Sequence, residues 1–431
     1  MMQRGARPGH VFVSAIVCSS LAVASLAIVG CSTTPAPEPE PLVFVPRTHR
    51  LLVMDTQPEA RLGDGLELRR SVLTPSASAG SGWAVLEPAG SDEAGVSMLT
   101  TPTLVAPLRF NELLISWNLD VSDGAGTRVE VQVGDSETNF TSPWLYVGRW
   151  GAGAPPENPT TTFDRSIAMR ADAAGSSAGS ANARLSGKID VDYFVSEQRF
   201  DRVRLRIVAA GARGQSVRVH RLSVLFSDVT GESPVFIAGA PATTEGTREN
   251  LPAMFEGEFR IGVPFRSQKT PDEKISGRLC SPTSVSMVLA HAGNAAVVAQ
   301  VAERAYDADN DIYGNWPRNV QAAFTMGLPG YLTRFSDWSQ VERTLRAGQP
   351  IIASIQVRPG ELRNAPYEKT AGHLIVLEGL TADGDVMVAD PAVATAREGQ
   401  LVYRRDDMTR VWLDRVDGTA YILETPARTA P

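Results

Sequence analysis

The sequence has few of the residues that build disulfide-stapled or zinc-stabilised domains. Only three cysteines occur among its 431 residues, Cys18, Cys31 and Cys280, and five histidines are scattered along the chain. Three cysteines are too few for a disulfide framework. No histidine stands at ligand spacing from a cysteine, so we predict neither a metal site nor a cofactor.

The chain also lacks an excess of positive charge. Lys and Arg together number 41 against 48 Asp and Glu, which gives a formal net charge of −7. No basic field exists that would attract nucleic acid, so we predict no nucleic-acid partner. A composition of 43% hydrophobic and 21% charged residues is ordinary for globular protein and excludes wholesale disorder. The length leaves room for two or three domains.

Beyond the first thirty residues, no segment approaches the length needed to span a bilayer. Arg4 and Arg7 precede an uncharged run over residues 11–30, which is the pattern of an export signal. The run ends in Ile-Val-Gly before Cys31, which resembles the lipobox of bacterial lipoproteins. We therefore predict a lipoprotein signal peptide over residues 1–30 and a lipid on Cys31. The alternative, an uncleaved transmembrane helix, is disfavoured because Ser, Ala and Gly make the run weakly hydrophobic.

A Pro-rich tether over residues 31–50 follows the predicted lipid. Its sequence Thr-Pro-Ala-Pro-Glu-Pro-Glu-Pro at residues 34–41 can form neither a helix nor a central strand. Such a spacer holds a folded body away from a membrane. Signal, lipid and tether together predict an extracytoplasmic protein that is anchored to the bacterial membrane in the cell envelope.

Residues 51–228 read as β structure. Short runs of Val, Leu, Ile and aromatic residues alternate with Gly, Ser, Asp and Pro clusters. Residues 128–133 and 203–207 alternate strictly between apolar and polar, which favours an antiparallel sandwich. We predict an all-β sandwich accessory domain here, with a loop over the Ala/Ser/Gly-rich residues 171–187. Residues 229–257 lack periodicity and read as an interdomain linker.

Four aromatic residues of the β region admit two interpretations. Stacked on pyranose rings, they could line a sugar-binding face and give this domain a carbohydrate ligand. Aromatic residues that fill a sandwich core are the more common arrangement, so we favour the second interpretation. The four residues are Trp117, Trp144, Tyr146 and Trp150.

Cys280 is the only cysteine left once the signal and the lipidated residue are set aside. Pro282 suits the first turn of a helix, apolar residues follow at three- and four-residue steps, and Gly293 can close that helix. The thiol therefore lies at a helix N-terminus, where unsatisfied N–H groups favour the reactive thiolate. We predict that Cys280 is a catalytic nucleophile.

An imidazole partner is available at His373, which begins an apolar run followed by an Asp-Gly turn and a returning strand that ends at Asp390. If Leu380 lies opposite Asp385, then Asp390 falls opposite Ile375, on the face of His373. A strict two-residue loop would place Asp390 farther along the strand. The first register lets Asp390 orient the His373 ring, as the third group of a triad does.

These motifs resemble those of the C39-like cysteine peptidase family, which has a papain-like fold. The similar segments are Val-Pro-Phe-Arg-Ser-Gln at residues 263–268, the cysteine-headed helix, Gly-His-Leu-Ile-Val-Leu at 372–377 and Asp-Pro at 390–391. The resemblance implies an α+β papain-like peptidase domain over residues 258–426. Many members have Gly directly after the cysteine, where this chain has Ser281.

The resemblance also implies roles for individual residues. Cys280 would be the nucleophile, His373 the general base and acid, and Asp390 the residue that orients His373. Gln268 would donate to the oxyanion, and Trp316 would flank the substrate groove. The implied reaction is hydrolysis of peptide bonds in a peptide or protein substrate.

Two other functions use the same residues. A papain-like body could hold peptides or cell-wall fragments without cutting them, although a binder of that kind would usually have lost one of the four site residues. A transglutaminase-like enzyme also uses Cys, His and Asp, but it expects the histidine closer to the cysteine and has no equivalent of the Gln268 motif.

Acidic residues at 307–311 look like the opening of a calcium loop. Ile312 stands where the loop requires Gly, and Arg318 stands where it requires Glu, so we predict no calcium site.

His220 lies in an alternating strand and is expected on its solvent face.

Overall fold

A computed structural model describes residues 48–55, 69–70, 84–86, 95–152, 160–168, 182–212, 214–237 and 257–426. The predicted signal peptide and Cys31 lie outside these ranges, as do residues 31–47 of the tether and 238–256 of the linker. Within the ranges, no helix combines the length and the apolar character needed to cross a membrane.

An all-β body occupies residues 48–237 of the described chain. Its described strands are β1 (Thr48–Asp55), β2 (Arg69–Arg70), β3 (Ala84–Leu86), β4 (Gly95–Thr100), β5 (Leu104–Val121), β6 (Gly126–Asp135), β7 (Phe140–Thr141), β8 (Leu145–Gly151), β9 (Thr162–Ala168), β10 (Asn182–Asp190), β11 (Tyr193–Gly211) and β12 (Val217–Asp228).

Two long strands organise the β body. β5 pairs with β12 on one side and β11 on the other, and β1 continues the sheet beyond β12. The second half of β11 leaves β5 and pairs with β6 and β4 instead. These pairings are antiparallel, as the alternating sequence predicts. Phe110, Phe194 and Phe200 are fully buried inside the body, where the rings of Phe110 and Phe194 each pack against that of Phe200.

The prediction of a loop over residues 171–187 is wrong for residues 182–187, which form the first part of β10. Gly187 pairs with Phe163 of β9, and a Cβ atom there would meet the rings of Phe194 and Phe163 within 2.8 Å. The small residue is required by close ring packing rather than by loop flexibility.

The second body is α+β. Its described strands are β13 (Phe259–Arg260), β14 (Gly330–Arg334), β15 (Ile351–Val357), β16 (Thr370–Leu380), β17 (Val386–Ala389), β18 (Gln400–Tyr403) and β19 (Thr419–Leu423). Its described helices are α1 (Glu273–Ser276), α2 (Cys280–His291), α3 (Val298–Ala305), α4 (Trp316–Thr325), α5 (Trp338–Arg346), α6 (Ala396–Gly399), α7 (Arg405–Met408) and a π-helical turn (Thr409–Asp414).

The strands of this body form one antiparallel sheet in the order β14-β19-β15-β16-β17-β18, with β13 added to β16. Helix α2 packs on β16 and is enclosed on all sides, because residues 281–289 are buried without exception. A helix buried all round is a core element rather than a surface one. The predicted fold class, an all-β body followed by an α+β body, is confirmed.

The two bodies share one apolar core. Leu51, Val53, Leu114 and Leu225 of the β body belong to the same buried cluster as the residues of α2 and β16. His220 lies in this interface, where its ring meets the ring of Phe324 at 4.5 Å and burial lowers its pKa to about 4. Its expected place on a solvent face is therefore wrong.

Polar contacts fix the same interface. Strand β14 is an edge of the second sheet, and its free backbone N–H groups need partners. Asn118 Oδ1 accepts from Gly330 N at 3.1 Å, and Ser116 Oγ accepts from Leu332 N at 3.1 Å. Gln321 exchanges two hydrogen bonds with the backbone of Leu119, at 2.6 and 2.8 Å. The β body thus covers the sheet edge of its neighbour.

The elements reach beyond two of the predicted boundaries. β1 begins at Thr48 and so includes the last three residues of the predicted tether, which ends at residue 50. Residues 235–237, assigned to the linker, bond to the backbone of β5 through Val235 O and Ile237 N. Both segments belong structurally to the β body.

Candidate active site

Cys280 is the first residue of α2, and its side chain is half-buried. Leu279 precedes it as the N-cap and makes no side-chain cap bond. The N-terminal N–H groups of α2 therefore carry the partial positive charge of a helix end close to the sulfur. This placement matches the sequence prediction for the thiol.

A β-bulge in β16 brings His373 and Asp390 to one face. Leu380 pairs with Val386, but Leu377 pairs with Val388, so Glu378 is an extra residue on β16. The predicted pairing of Leu380 with Asp385 is wrong by one residue. The bulge shifts the register by one residue, so that the strands follow the predicted register beyond Glu378. In that register Asp390 lies opposite Ile375, on the same face as His373.

The ring of His373 is held by Asp390. Nε2 of His373 lies 2.8 Å from Oδ1 of Asp390, and both side chains are buried. This contact leaves Nδ1 as the ring nitrogen for the Cys280 thiol, with which His373 is hydrogen-bonded. The structure thus brings Cys280, His373 and Asp390 into one hydrogen-bonded chain.

Two tyrosines hold the carboxylate of Asp390. The hydroxyls of Tyr367 and Tyr403 each donate to Oδ2 at 2.8 Å, while Ala392 N donates to Oδ1 at 3.0 Å. The Tyr367 ring also meets the His373 ring edge-on, with centroids 5.1 Å apart. Four donors therefore satisfy a fully buried carboxylate and fix its direction.

The electrostatics of the three groups favour an ion pair. Burial raises the pKa of the Cys280 thiol, but the hydrogen bond and charge of His373 outweigh it and hold the pKa below its ordinary value. Burial lowers the pKa of His373, yet the charge and hydrogen bond of Asp390, then those of Cys280, raise it to about 10. Burial also opposes ionisation of Asp390, but the charge and hydrogen bond of His373 keep its pKa low. At neutral pH this arrangement stabilises a thiolate beside an imidazolium.

Gln268 lies buried between the Asp390 segment and the loop before α2. Its backbone N–H donates to Pro391 O at 2.9 Å, and its side-chain amide donates to Ser276 O at 3.3 Å. A primary amide has two N–H donors, so one remains for another acceptor. The role of Gln268 as an oxyanion donor stays a prediction.

Side chains of α2 tie the helix to the histidine strand. Ser284 Oγ donates to Leu374 O at 3.0 Å, next to His373. Ser281, which replaces the glycine of many family members, is fully buried with its hydroxyl 3.0 Å from that of Tyr421. The larger side chain has a polar partner at this position.

Trp316 lies at the interface between the two bodies. It is 6% exposed, its backbone N–H donates to Asp192 Oδ2 at 2.7 Å, and its ring stacks on that of Tyr193. The indole therefore packs in the interface between the two bodies, because α4 begins there. Its predicted contact with substrate stays a prediction.

The aromatic residues considered for a sugar-binding face are already engaged. Trp117 is buried in the β core, and Arg206 lies 4.3 Å from the centre of the Trp144 ring. Tyr146 donates to Asp309, and Arg318 lies over the ring of Trp150. Trp117 therefore fills the core as the favoured interpretation expects, whereas Trp144, Tyr146 and Trp150 are half-buried and do not.

The acidic residues at 307–311 bind protein groups. Asp307 accepts from the side-chain amides of Asn310 and Asn315, at 2.9 and 2.8 Å. Asp309 pairs with Arg149 of β8 at 2.6 Å, and Asp311 pairs with Arg278 at 3.0 Å. In the described part of the chain, no group of three or more His, Cys, Asp or Glu residues could hold a metal ion.

Sequence reasoning missed Tyr367 and Tyr403. Tyr403 lies on β18, which pairs with β17, so it reaches Asp390 from the neighbouring strand. Tyr367 comes from the loop between β15 and β16 and carries no periodic signal. A pairing scheme that continued the hairpin by one more strand could have located Tyr403 but not Tyr367.

Family comparisons assign both bodies. Residues 260–419 match the Peptidase_C39 like family, and residues 90–227 match the Peptidase C39 N-terminal domain. A search among curated proteins finds no match.

Three solved structures are similar at low identity. One is a double glycine motif protease from an AMS/PCAT transporter in complex with the leader peptide, 18% identical over 39% of this chain and 94% of its own, with a TM-score of 0.27. A protein described as a C39-like peptidase from Bacillus anthracis is 16% identical over 40% of this chain and all of its own, with a TM-score of 0.31. The peptidase domain of Streptococcus ComA, a bi-functional ABC transporter of a quorum-sensing pathway, is 16% identical over 38% of this chain and all of its own, with a TM-score of 0.26.

The assignment rests on the two family matches, which follow the division into a β body and an α+β body. The α+β body therefore contains a C39-like peptidase domain, and the β body ahead of it contains a Peptidase C39 N-terminal domain.

Proposed function

We propose that this protein is a membrane-anchored extracytoplasmic cysteine peptidase that hydrolyses peptide bonds. The observation that carries the proposal is the hydrogen-bonded chain from the Cys280 thiol through His373 to Asp390 at the N-terminus of a buried helix. A nucleophile, a base beside it and a third group that orients the base are the parts that covalent catalysis requires.

The first half of the reaction follows from the residue types. The Cys280 thiolate attacks the carbonyl carbon of the scissile peptide bond, and the carbonyl oxygen takes the negative charge. The backbone N–H of Cys280 and the second amide N–H of Gln268 stabilise that oxyanion. His373 then gives its proton to the leaving amine, which leaves a thioester on Cys280.

The second half uses the same groups in reverse. Neutral His373 takes a proton from water, and the resulting hydroxide attacks the thioester carbonyl. The tetrahedral intermediate collapses, the carboxylic acid product leaves, and the thiolate–imidazolium pair is restored. Asp390 stabilises the imidazolium in each half and keeps Nδ1 directed at the sulfur.

The cellular setting is proposed from the sequence. The charged start, the uncharged run and the Ile-Val-Gly-Cys ending support export and lipidation at Cys31, and the Pro-rich tether suits a body held off a membrane. The proposed partners are a peptide or protein substrate and the membrane that carries the lipid. Metabolic labelling with a palmitate analogue, compared between wild type and Cys31→Ala, tests the anchor.

Peptide cleavage by purified protein tests the activity. Wild type should generate new peptide termini that are absent with Cys280→Ala. Gln268→Ala should lower kcat about 100-fold or more, since one oxyanion donor contributes about 2.7–4 kcal/mol. Cleavage by Cys280→Ala at the wild-type rate would refute the mechanism. Peptide binding without Cys280-dependent cleavage would favour a non-catalytic binder.

A further inference from the structure

A cavity of about 520 Å³ lies at the segment that leads into α2. Leu279, the residue before Cys280, forms part of its lining, and so does Gln268, the proposed oxyanion donor. A carbonyl group held by Gln268 would therefore have this cavity next to it. The volume lies within the range of about 300–1,000 Å³ that is typical of small-ligand sites.

One wall of the cavity is aromatic and held in place. Tyr306 and Tyr313 line it, with ring centroids 5.0 Å apart, because Asp307 and Ile312 bond across the short loop between them. The Tyr306 hydroxyl donates to Asp311 at 2.9 Å. The same loop contains Asp309, which forms an ion pair with Arg149 of the β body.

The wall is also tied to the nucleophile segment. Arg278, two residues before Cys280, pairs with Asp311 at 3.0 Å and also donates to the backbone oxygen of that residue. Its guanidinium lies 5.4 Å from the centre of the Tyr313 ring. The distance between wall and thiol is therefore set by a charged contact and a cation–π contact.

The remaining lining is mostly apolar and carries no net charge. Ile275, Leu279 and Ala302 supply aliphatic surface, while Lys269 and Glu303 contribute one charge of each sign. An apolar cavity with an aromatic wall favours an apolar occupant. Because the two charges in the lining are of opposite sign, the cavity has no preference for a charged occupant.

We infer that this cavity binds a bulky apolar side chain of the substrate, aliphatic or aromatic, next to the scissile bond. The inference rests on the proposed peptidase function. Ala299 is exposed, lies on α3 and lines the cavity, so a larger side chain there would fill the space without disturbing the core. Ala295, four residues earlier, is also exposed but does not line the cavity, and it offers the matched control.

In the experiment, wild type, Ala299→Trp and Ala295→Trp each digest a mixed peptide library, and mass spectrometry identifies the products. A parallel digest with Cys280→Ala serves as the blank, so that only products absent from it are counted. Wild type and Ala295→Trp should cut sites enriched in Leu, Ile, Met, Phe or Trp at one fixed position. Ala299→Trp should cut those sites at least tenfold more slowly and should cut sites with Gly or Ala at that position at nearly the wild-type rate.

Three results would overturn the inference. They are a wild-type digest without such enrichment, an Ala299→Trp digest with the enrichment unchanged, and an equal loss at all sequences in both Ala299→Trp and the milder Ala299→Leu. The absence of any Cys280-dependent cleavage by wild type would instead refute the proposed function, so the two failures are distinguishable.

Discussion

Asp390 determines the geometry of the candidate site at the scale of single residues. One of its oxygens faces His373, and the other receives the hydroxyls of Tyr367 and Tyr403. The short sequence motifs predicted Cys280, His373 and Asp390, since each lies in a recognisable local context. Tyr367 could not be predicted, because it comes from a loop that folds over the carboxylate, whereas Tyr403 required the hairpin to be continued by one more strand.

The Tyr403 hydroxyl should contribute more to stability than a comparable neutral hydrogen bond. Tyr403→Phe removes a charge-assisted bond to buried Asp390, for which we expect a loss of about 1.5–3 kcal/mol in the free energy of unfolding. Tyr421→Phe is the control, because Tyr421 is equally buried and faces the neutral hydroxyl of Ser281. Urea unfolding at neutral pH measures both, and an equal loss in the two variants would contradict the assigned role.

Activity should persist to high pH and then fall. The reactive pair needs Cys280 deprotonated and His373 protonated, so kcat/KM should fall as pH rises through about 10, where His373 loses its proton. On the acid side, the lowered pKa of Cys280 places the fall below the ordinary thiol range.

Asp390→Asn tests the cause of the alkaline limb. The variant removes the negative charge that favours the imidazolium, so His373 should lose its proton at lower pH and the alkaline limb should move toward neutrality. The measurement is kcat/KM on a fluorogenic peptide across the pH range. An alkaline limb at the same pH in both proteins would contradict the coupling of Asp390 to His373.

At the scale of elements, the bulge at Glu378 decides whether Asp390 reaches His373. The hairpin turn alone pairs Leu380 with Val386, and that register would direct Asp390 to the face away from His373. A hairpin was predictable from an Asp-Gly turn between apolar runs. The bulge was not, since it depends on a buried glutamate whose partners, Arg260 and Val263, lie more than a hundred residues earlier.

Glu378 should therefore matter for both stability and activity. Glu378→Ala leaves the buried Val263 N–H without an acceptor, for which we expect a loss of about 1–3 kcal/mol in the free energy of unfolding. It should also lower kcat, because the segment that leads to Gln268 is released from β16. Glu378→Gln keeps an acceptor for Val263 N and should recover most of both losses. Equal behaviour of the two variants would contradict this role of the acceptor.

At the scale of the whole molecule, the β body is part of the peptidase-like domain's structure rather than a separate accessory. It covers the β14 edge, contributes Leu114 and Leu225 to the shared core, and grips the cavity wall through Arg149. The division into two bodies was visible in the sequence, where the hydrophobic period changes. Their interface was not, because it joins residues separated by some two hundred positions.

A buried ion pair across the interface tests this integration. Arg334 and Glu112 lie 2.8 Å apart, and each is less than a tenth exposed. Glu112→Ala leaves the arginine with Asp417 at 3.9 Å, so we expect a loss of up to about 3–5 kcal/mol and a lower unfolding temperature for the whole chain. Asp164→Ala, which breaks an exposed pair with Arg184, should leave stability unchanged. Calorimetry that resolves two independent transitions would contradict a shared core.

The central claim is that the Cys280 sulfur is ionised by His373, and the rate of alkylation by iodoacetamide against pH tests it most directly. A Cys280→Ser variant corrects for labelling at other cysteines. The account predicts rapid alkylation of wild type at neutral pH, with an apparent thiol pKa below its ordinary value, and slow alkylation of His373→Ala, where burial alone acts on the thiol pKa and raises it. Slow labelling that follows an ordinary thiol pKa in both proteins would contradict the claim.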